Sequence, residues 1–201
     1  MSDPIKFYFA CTSPWSYLAL DELNAIAAKH GREIAYKPTN VGRQWQTSGA
    51  GRSLGDRPEV LTTYRLVDLP RWAQLRGVPL NSEPKHHPVP LQLSSGAIIA
   101  AGQAGADMYA ITRALMRGCW VDEKDISDPS DVTAIVDGVG LDGAALVAAA
   151  EFDAVTAELE ANTDESLADG AWSVPSVVVD GEIFFGQDRL EMIDWRLSGA
   201  K

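Results

Sequence analysis

A short β-rich run, Ile5 to Ala10, passes within three residues into Ser13-Pro14-Trp15-Ser16, and this junction limits the available folds more than any other stretch. Beyond it Trp15, Leu18, Ala19, Leu23, Ile26 and Ala27 recur at helical spacing, closed by His30-Gly31. Ser13 therefore stands where an N-cap belongs, and Pro14 takes the first helical position, where a missing N–H is harmless. The N–H groups of that first turn point outward with partial positive charge. They can hold an anion, and a thiolate is one such anion.

Glu33 to Lys37 predicts a second strand with Ile34 and Tyr36 on one face, ended by Pro38 and parallel to the first through a right-handed crossover. Residues 44–57 are rich in Gly, Ser and Arg and predict a loop, and their glycines fit no nucleotide-binding spacing. Val60, Leu61, Tyr64, Val67, Leu69 and Trp72 predict one or two helices over 58–77. The four prolines of 78–94 predict an irregular loop. A single Ala- and Gly-rich helix is expected over 97–117, followed by helices over 128–137, 143–152 and 154–170, each with an Asp at or just before its start.

Strand chemistry returns at Ser176 to Val179, with Asp180-Gly181 as a hairpin turn and Ile183 to Phe185 as the returning strand. Asp188-Arg189-Leu190-Glu191 has the form of a capping box that opens a last helix, with Leu190, Ile193 and Leu197 inward. Without its central block the chain reads strand-helix-strand, hairpin, helix. That order predicts an α/β, thioredoxin-like fold with a large all-helical insertion between the second and third strands. Residues 1–40 and 171–201 make up the thioredoxin-like domain, and 41–170 the inserted helical domain.

A formal net charge of −11 argues against nucleic-acid partners and anionic membrane surfaces, which select clustered Lys and Arg. It leaves room for a small anion in a local cationic pocket. Cys11 and Cys119 are the two cysteines, in neither CxxC nor metal-ligand spacing, so a reducing compartment and no metal are expected. No secretion signal or membrane-length apolar run is visible in the sequence, which predicts a cytoplasmic location.

In the predicted fold the start of the first helix faces the loop Trp172-Ser173-Val174-Pro175. A cis Val174-Pro175 bond turns the Val174 backbone outward to pair with an extended peptide, whereas a trans proline merely starts the strand. Ser13-Pro14-Trp15-Ser16 is a Cys-Pro-x-Cys redox motif with oxygen in place of both sulfurs, so disulfide exchange is not available there. Cys11 suits the role of a small buried hydrophobe. A fold of this type without its own thiol pair fits work on another molecule's thiol.

Phe7-Tyr8-Phe9, the run Ser13 to Ala19, the run Val67 to Ala73, Val174-Pro175 and the run Phe185 to Leu190 resemble the signatures of 2-hydroxychromene-2-carboxylate isomerases and of the related kappa-class glutathione transferases. The resemblance implies a homodimeric, glutathione-dependent enzyme in aromatic hydrocarbon catabolism. Its reaction would convert 2-hydroxychromene-2-carboxylate, or a close aromatic carboxylate, to trans-o-hydroxybenzylidenepyruvate. It further implies Ser13 as the catalytic residue that holds the glutathione sulfur, with cofactor contacts at Ser13, Trp15, Val174, Pro175, Gln187, Asp188 and Arg189. Asp188 either takes the γ-glutamyl end or only caps its helix. Where the family carries an Asn and a Lys for glutathione, this chain has Ala50 and Leu61, with Arg52, Arg57 or Arg65 as substitutes. Lys85, His86 and His87 either meet the substrate carboxylate or form a solvated loop. Two other readings stand beside the isomerase: a kappa-like transferase conjugating electrophiles, and a non-catalytic module that binds a peptide beside Val174.

Overall fold

Along the strand Ile5–Phe9 (β1), Ile5, Phe7 and Phe9 point to one face and Lys6 and Tyr8 to the other, the two-residue alternation of a strand with a packed side. The computed structural model describes residues 3–199. Five residues after β1 the helix Pro14–Lys29 (α1) begins, and Ile34–Pro38 (β2) returns beside β1 in parallel, pairing Ile5 with Ile34 and Phe9 with Pro38. Ser176–Val179 (β3) lies antiparallel on the other side of β1, and Glu182–Phe185 (β4) antiparallel beyond it. The sheet order is therefore β2-β1-β3-β4, and the fold is the expected thioredoxin-like one.

The hairpin forms where Asp180-Gly181 predicts it. Both residues have positive φ, +51° and +82°, which a two-residue turn of this kind demands and which Gly tolerates freely. Between β2 and β3 come Val41–Ser48 (α2), Glu59–Arg76 (α3), Gln92–Gln103 (α4), Met108–Trp120 (α5), Pro129–Asp137 (α6), Gly143–Ala149 (α7) and Asp153–Ala168 (α8). The chain closes with Leu190–Leu197 (α9). One hydrophobic cluster joins Phe7 and Phe9 of β1 to Leu20 and Leu23 of α1, Ile98 of α4, Leu115 and Trp120 of α5, Leu159 of α8 and Ile193 of α9. Among the described residues no helix is long and apolar enough to cross a membrane.

Three local expectations change. Part of the predicted loop 44–57 is helix α2, because the Asn40 side chain accepts the Arg43 N–H at 3.1 Å and caps its start, while Gly49 ends it at φ +69°. The helix expected over 97–117 is two, α4 and α5. Gly105 turns the chain at φ +75°, and the Asp107 carboxylate accepts the N–H groups of Tyr109 and Ala110 at 2.9 and 3.3 Å. The capping box at Asp188 does not form: a 3-10 turn over Gln187–Arg189 leads into α9, whose N-cap, Arg189, makes no side-chain cap bond. Gly186 enters that turn at φ +105°, with the Asp188 carboxylate packed where a side chain on Gly186 would lie.

Candidate active site

Ser13 has extended backbone at the N-cap of α1, and its Oγ accepts the Ser16 N–H at 3.3 Å. A hydroxyl has one proton and two acceptor sites, so that cap leaves the Ser13 proton free to be given away. Pro14 has no N–H, and the Tyr17 N–H goes to the Ser13 carbonyl at 3.1 Å. The Trp15 N–H has no protein acceptor among the described residues. Ser13 and Trp15 line a cavity of about 1110 Å³, whereas Ser16 is fully buried behind them.

Two aromatic rings, the buried Trp120 and the half-buried His87, pin the residues before Ser13. The Trp120 indole N–H donates to the Cys11 carbonyl at 2.8 Å, and His87 Nε2 lies 3.1 Å from the Thr12 carbonyl. A carbonyl only accepts, so His87 carries its proton on Nε2. Burial first, and the field of Arg65 as well, hold the His87 pKa below its ordinary value, against the hydrogen bond to Thr12. The two rings touch, with centroids 4.6 Å apart.

Opposite Ser13 the cavity wall is Trp172, Ser173, Val174 and Phe185. The Val174–Pro175 bond is cis. Val174 makes no backbone hydrogen bond among the described residues, although Pro175 accepts from Gly186 at 2.9 Å. Helix α2 brings Asn40 and Trp45 to the same space, and the Trp45 indole donates to Ser173 Oγ at 3.0 Å. Helix α3 contributes Leu61, Tyr64, Arg65 and Asp68.

Arg52, Arg57 and Arg65 all line the cavity, with Asp68 as the carboxylate beside them. Asp68 meets the Tyr64 hydroxyl at 3.4 Å and forms no ion pair with these arginines. A chain of net charge −11 thus gives its cavity a local excess of positive charge. Ala50 and Leu61 line it too.

The sequence-predicted residues divide between cavity and surroundings. Ser13, Trp15, Val174 and His87 line the cavity together. Lys85 and His86 do not: the Lys85 N–H donates to Glu123 at 2.7 Å, and His86 Nδ1 lies 3.7 Å from Asp125. Pro175 is buried behind Val174. Gln187, Asp188 and Arg189 also stand outside the lining. Gln187 is buried and accepts from Arg76 at 3.2 Å on its side chain and 2.8 Å on its carbonyl, while Asp188 pairs with Arg189 at 3.5 Å. The sequence reading missed Trp45, Thr12 and Asn40. The signal available for the last was an Asn two residues after a strand, a helix N-cap rather than a loop residue.

Neither cysteine reaches the cavity lining. Burial lifts the Cys11 thiol far above its ordinary range, and burial with nearby Asp125 and Glu123 pushes Cys119 up to about 12. The chain therefore offers no thiolate of its own. Among the described residues no cluster of His, Cys, Asp and Glu is arranged to hold a metal.

The family model of the DSBA-like thioredoxin domain matches residues 4–198. The chain is 30% identical to a 2-hydroxychromene-2-carboxylate isomerase of Sphingobium xenophagum over 96% of its own length and 97% of that protein's. Among solved structures, a selenomethionine 2-hydroxychromene-2-carboxylate isomerase superposes with a TM-score of 0.83 at 27% identity, covering 98% of this chain and 95% of that one. A cytosolic disulfide reductase of Pseudomonas aeruginosa, determined with GSH, superposes with a TM-score of 0.68 at 15% identity, over 98% of this chain and all of that one. That likeness shows the fold alone.

Proposed function

The chain belongs to the 2-hydroxychromene-2-carboxylate isomerase family, on a DSBA-like thioredoxin domain, and we propose that it carries out this isomerisation with glutathione as its cofactor. The observation that carries the reading is the Ser13 hydroxyl, which faces the cavity with its proton uncommitted in a protein whose own thiols are sealed away.

The residues present fit glutathione. The Ser13 O–H and the Trp15 N–H are two donors for a sulfur anion at the positive end of α1. Each is worth on the order of 1 kcal/mol, enough together to draw a thiol pKa toward neutrality. The open N–H and C=O of Val174 pair with the tripeptide backbone as an added strand would. Gln187, Asp188 and Arg189 lie beyond Phe185, and we assign them the γ-glutamyl end. Arg52 and Arg57 compensate for Ala50 and Leu61 toward the glycyl carboxylate.

Bound glutathione would supply the thiolate that adds to the conjugated carbon of the ring-opened substrate, so that a double bond becomes rotatable and re-forms as trans-o-hydroxybenzylidenepyruvate when the sulfur leaves. The protein's part is to hold the sulfur charge at Ser13, to orient the aromatic acid against it, and to shield both with Trp15, Trp45 and Trp172. The protein acts as a cytoplasmic homodimer. In support of pairing, Val60, Tyr64, Val67 and Leu75 form an exposed apolar stripe along α3.

Interconversion of the two isomers, followed with and without glutathione, tests this. Activity is expected only with glutathione, and Ser13→Ala should lower kcat/KM by about ten- to a hundredfold. Equal rates for Ser13→Ala and wild type would remove the proposed role. Stable conjugation of a model electrophile without isomerisation would instead indicate a transferase.

A further inference from the structure

A guanidinium stays protonated at any ordinary pH, so a buried arginine ordinarily has a carboxylate or several carbonyls around it. Arg65 has neither. It is 9% exposed, its Nη2 is buried without a hydrogen-bond partner, and it forms no ion pair among the described residues. Burial and the neighbouring Arg57 both disfavour its charge, with only the field of Glu83 opposing them. Its guanidinium lies 6.0 Å from the centre of the Trp120 ring, a contact that holds a cation but does not neutralise it.

The location gives this charge a use. Trp120 and His87, the two rings beside Arg65, are the ones hydrogen-bonded to Cys11 and Thr12 immediately before Ser13. Arg65 therefore lines the same cavity as Ser13, beside the two rings that hold the residues preceding that serine. His87, with its depressed pKa and its proton given to Thr12, does not compete for an anion.

We propose that Arg65 is the anchor for the carboxylate of the aromatic substrate, with His87, which lines the cavity beside it, against the apolar body of the acid. This deepens the proposed isomerisation and takes from it only the identity of the acid. The anion completes a charge that the fold leaves uncompensated, and the bond between a carboxylate and a guanidinium fixes the acid in one orientation. Arg65 is thus a specificity-determining residue, selecting acids over neutral aromatics of the same shape.

The test uses calorimetric titration of the full chain with phenylpyruvate, an aromatic 2-oxo acid, and with phenylacetone, a neutral analogue that carries a methyl group in place of the carboxylate. No glutathione is present, so the result stands apart from isomerisation. Arg65→Gln should weaken phenylpyruvate binding about tenfold and leave phenylacetone unchanged, and Arg65→Lys, which keeps the charge, should lose only about threefold. Without ligand, Arg65→Gln should raise the thermal midpoint, because it removes an uncompensated buried charge. A lowered midpoint would mark a structural arginine and overturn the proposal. So would absent phenylpyruvate binding or equal affinity in wild type and Arg65→Gln. A last arm adds S-methylglutathione, which is expected to leave phenylpyruvate affinity unchanged. Competition between the two, with S-methylglutathione itself weakened by Arg65→Gln, would assign Arg65 to the tripeptide's carboxylate instead and overturn the proposal. Loss of isomerisation alongside retained, Arg65-dependent phenylpyruvate binding would sink only the isomerase reading.

Discussion

Because Thr12's carbonyl fixes the His87 proton on Nε2 and burial disfavours a second one, His87 takes up a proton less readily in the folded chain than in the unfolded one. Its stabilising effect is present above the unfolded pKa, ordinarily 6.5, and is lost as pH falls through that value toward the depressed folded pKa. Urea unfolding between pH 7 and pH 5 should therefore show a fall in stability that His87→Gln reduces; an unchanged slope in the variant would rule His87 out as its source. The residues that sequence reading found at the site are those whose placement is local. Ser13 caps a helix through a bond three residues long, and Val174 precedes a proline next to a strand. Arg65 appeared only as one of several stand-ins for a missing Lys. Its burial depends on Trp120, 55 positions further along, and no short-range pattern carries that information. Lys85 and His86 stand outside the cavity lining, beside Glu123 and Asp125, contacts that likewise join residues far apart in the sequence.

Helix α2 is where composition misled. Gly, Ser and Arg are common in loops, yet Asn40 and Gly49 bracket a two-turn helix whose Gln44 is buried and donates to Ser166 at 2.8 Å. The helix fixes Trp45 against Ser173, and Gly51 then passes directly beneath the indole. A Cβ on Gly51 would lie 1.8 Å from Trp45 Cδ1, so Gly51→Ala must displace the ring. It should cost about 1–3 kcal/mol in denaturant unfolding and weaken glutathione binding in a titration; neutrality on both counts would contradict the packing. The elements at the chain ends were legible because each has its own signal, short β-rich apolar runs in β1 and β3 and a turn that needs positive φ at Asp180-Gly181. The break between α4 and α5 was visible too, in Gly105 and Asp107, but the surrounding run of small apolar residues read through it.

At the scale of the molecule, helices α4 to α8 and the sheet share one hydrophobic cluster, so neither part has a core of its own to keep when the other melts. Calorimetry should show a single transition with equal calorimetric and van't Hoff enthalpies, and two resolved transitions would refute the shared core. The apolar stripe on α3 makes a second expectation. Sedimentation should give a dimer that Val67→Asp dissociates, and a wild-type monomer would leave the stripe without the partner we assign it. Cys11 and Cys119, 1% and 2% exposed, have a different consequence. Under the proposed glutathione dependence, any accessible sulfhydryl would be a point at which the oxidised tripeptide could cap the enzyme. With both sulfhydryls interred, iodoacetamide should label neither in the native protein and both in urea. The same burial should leave the native chain unmodified by added oxidised glutathione, with mixed disulfides forming only once urea unfolds it.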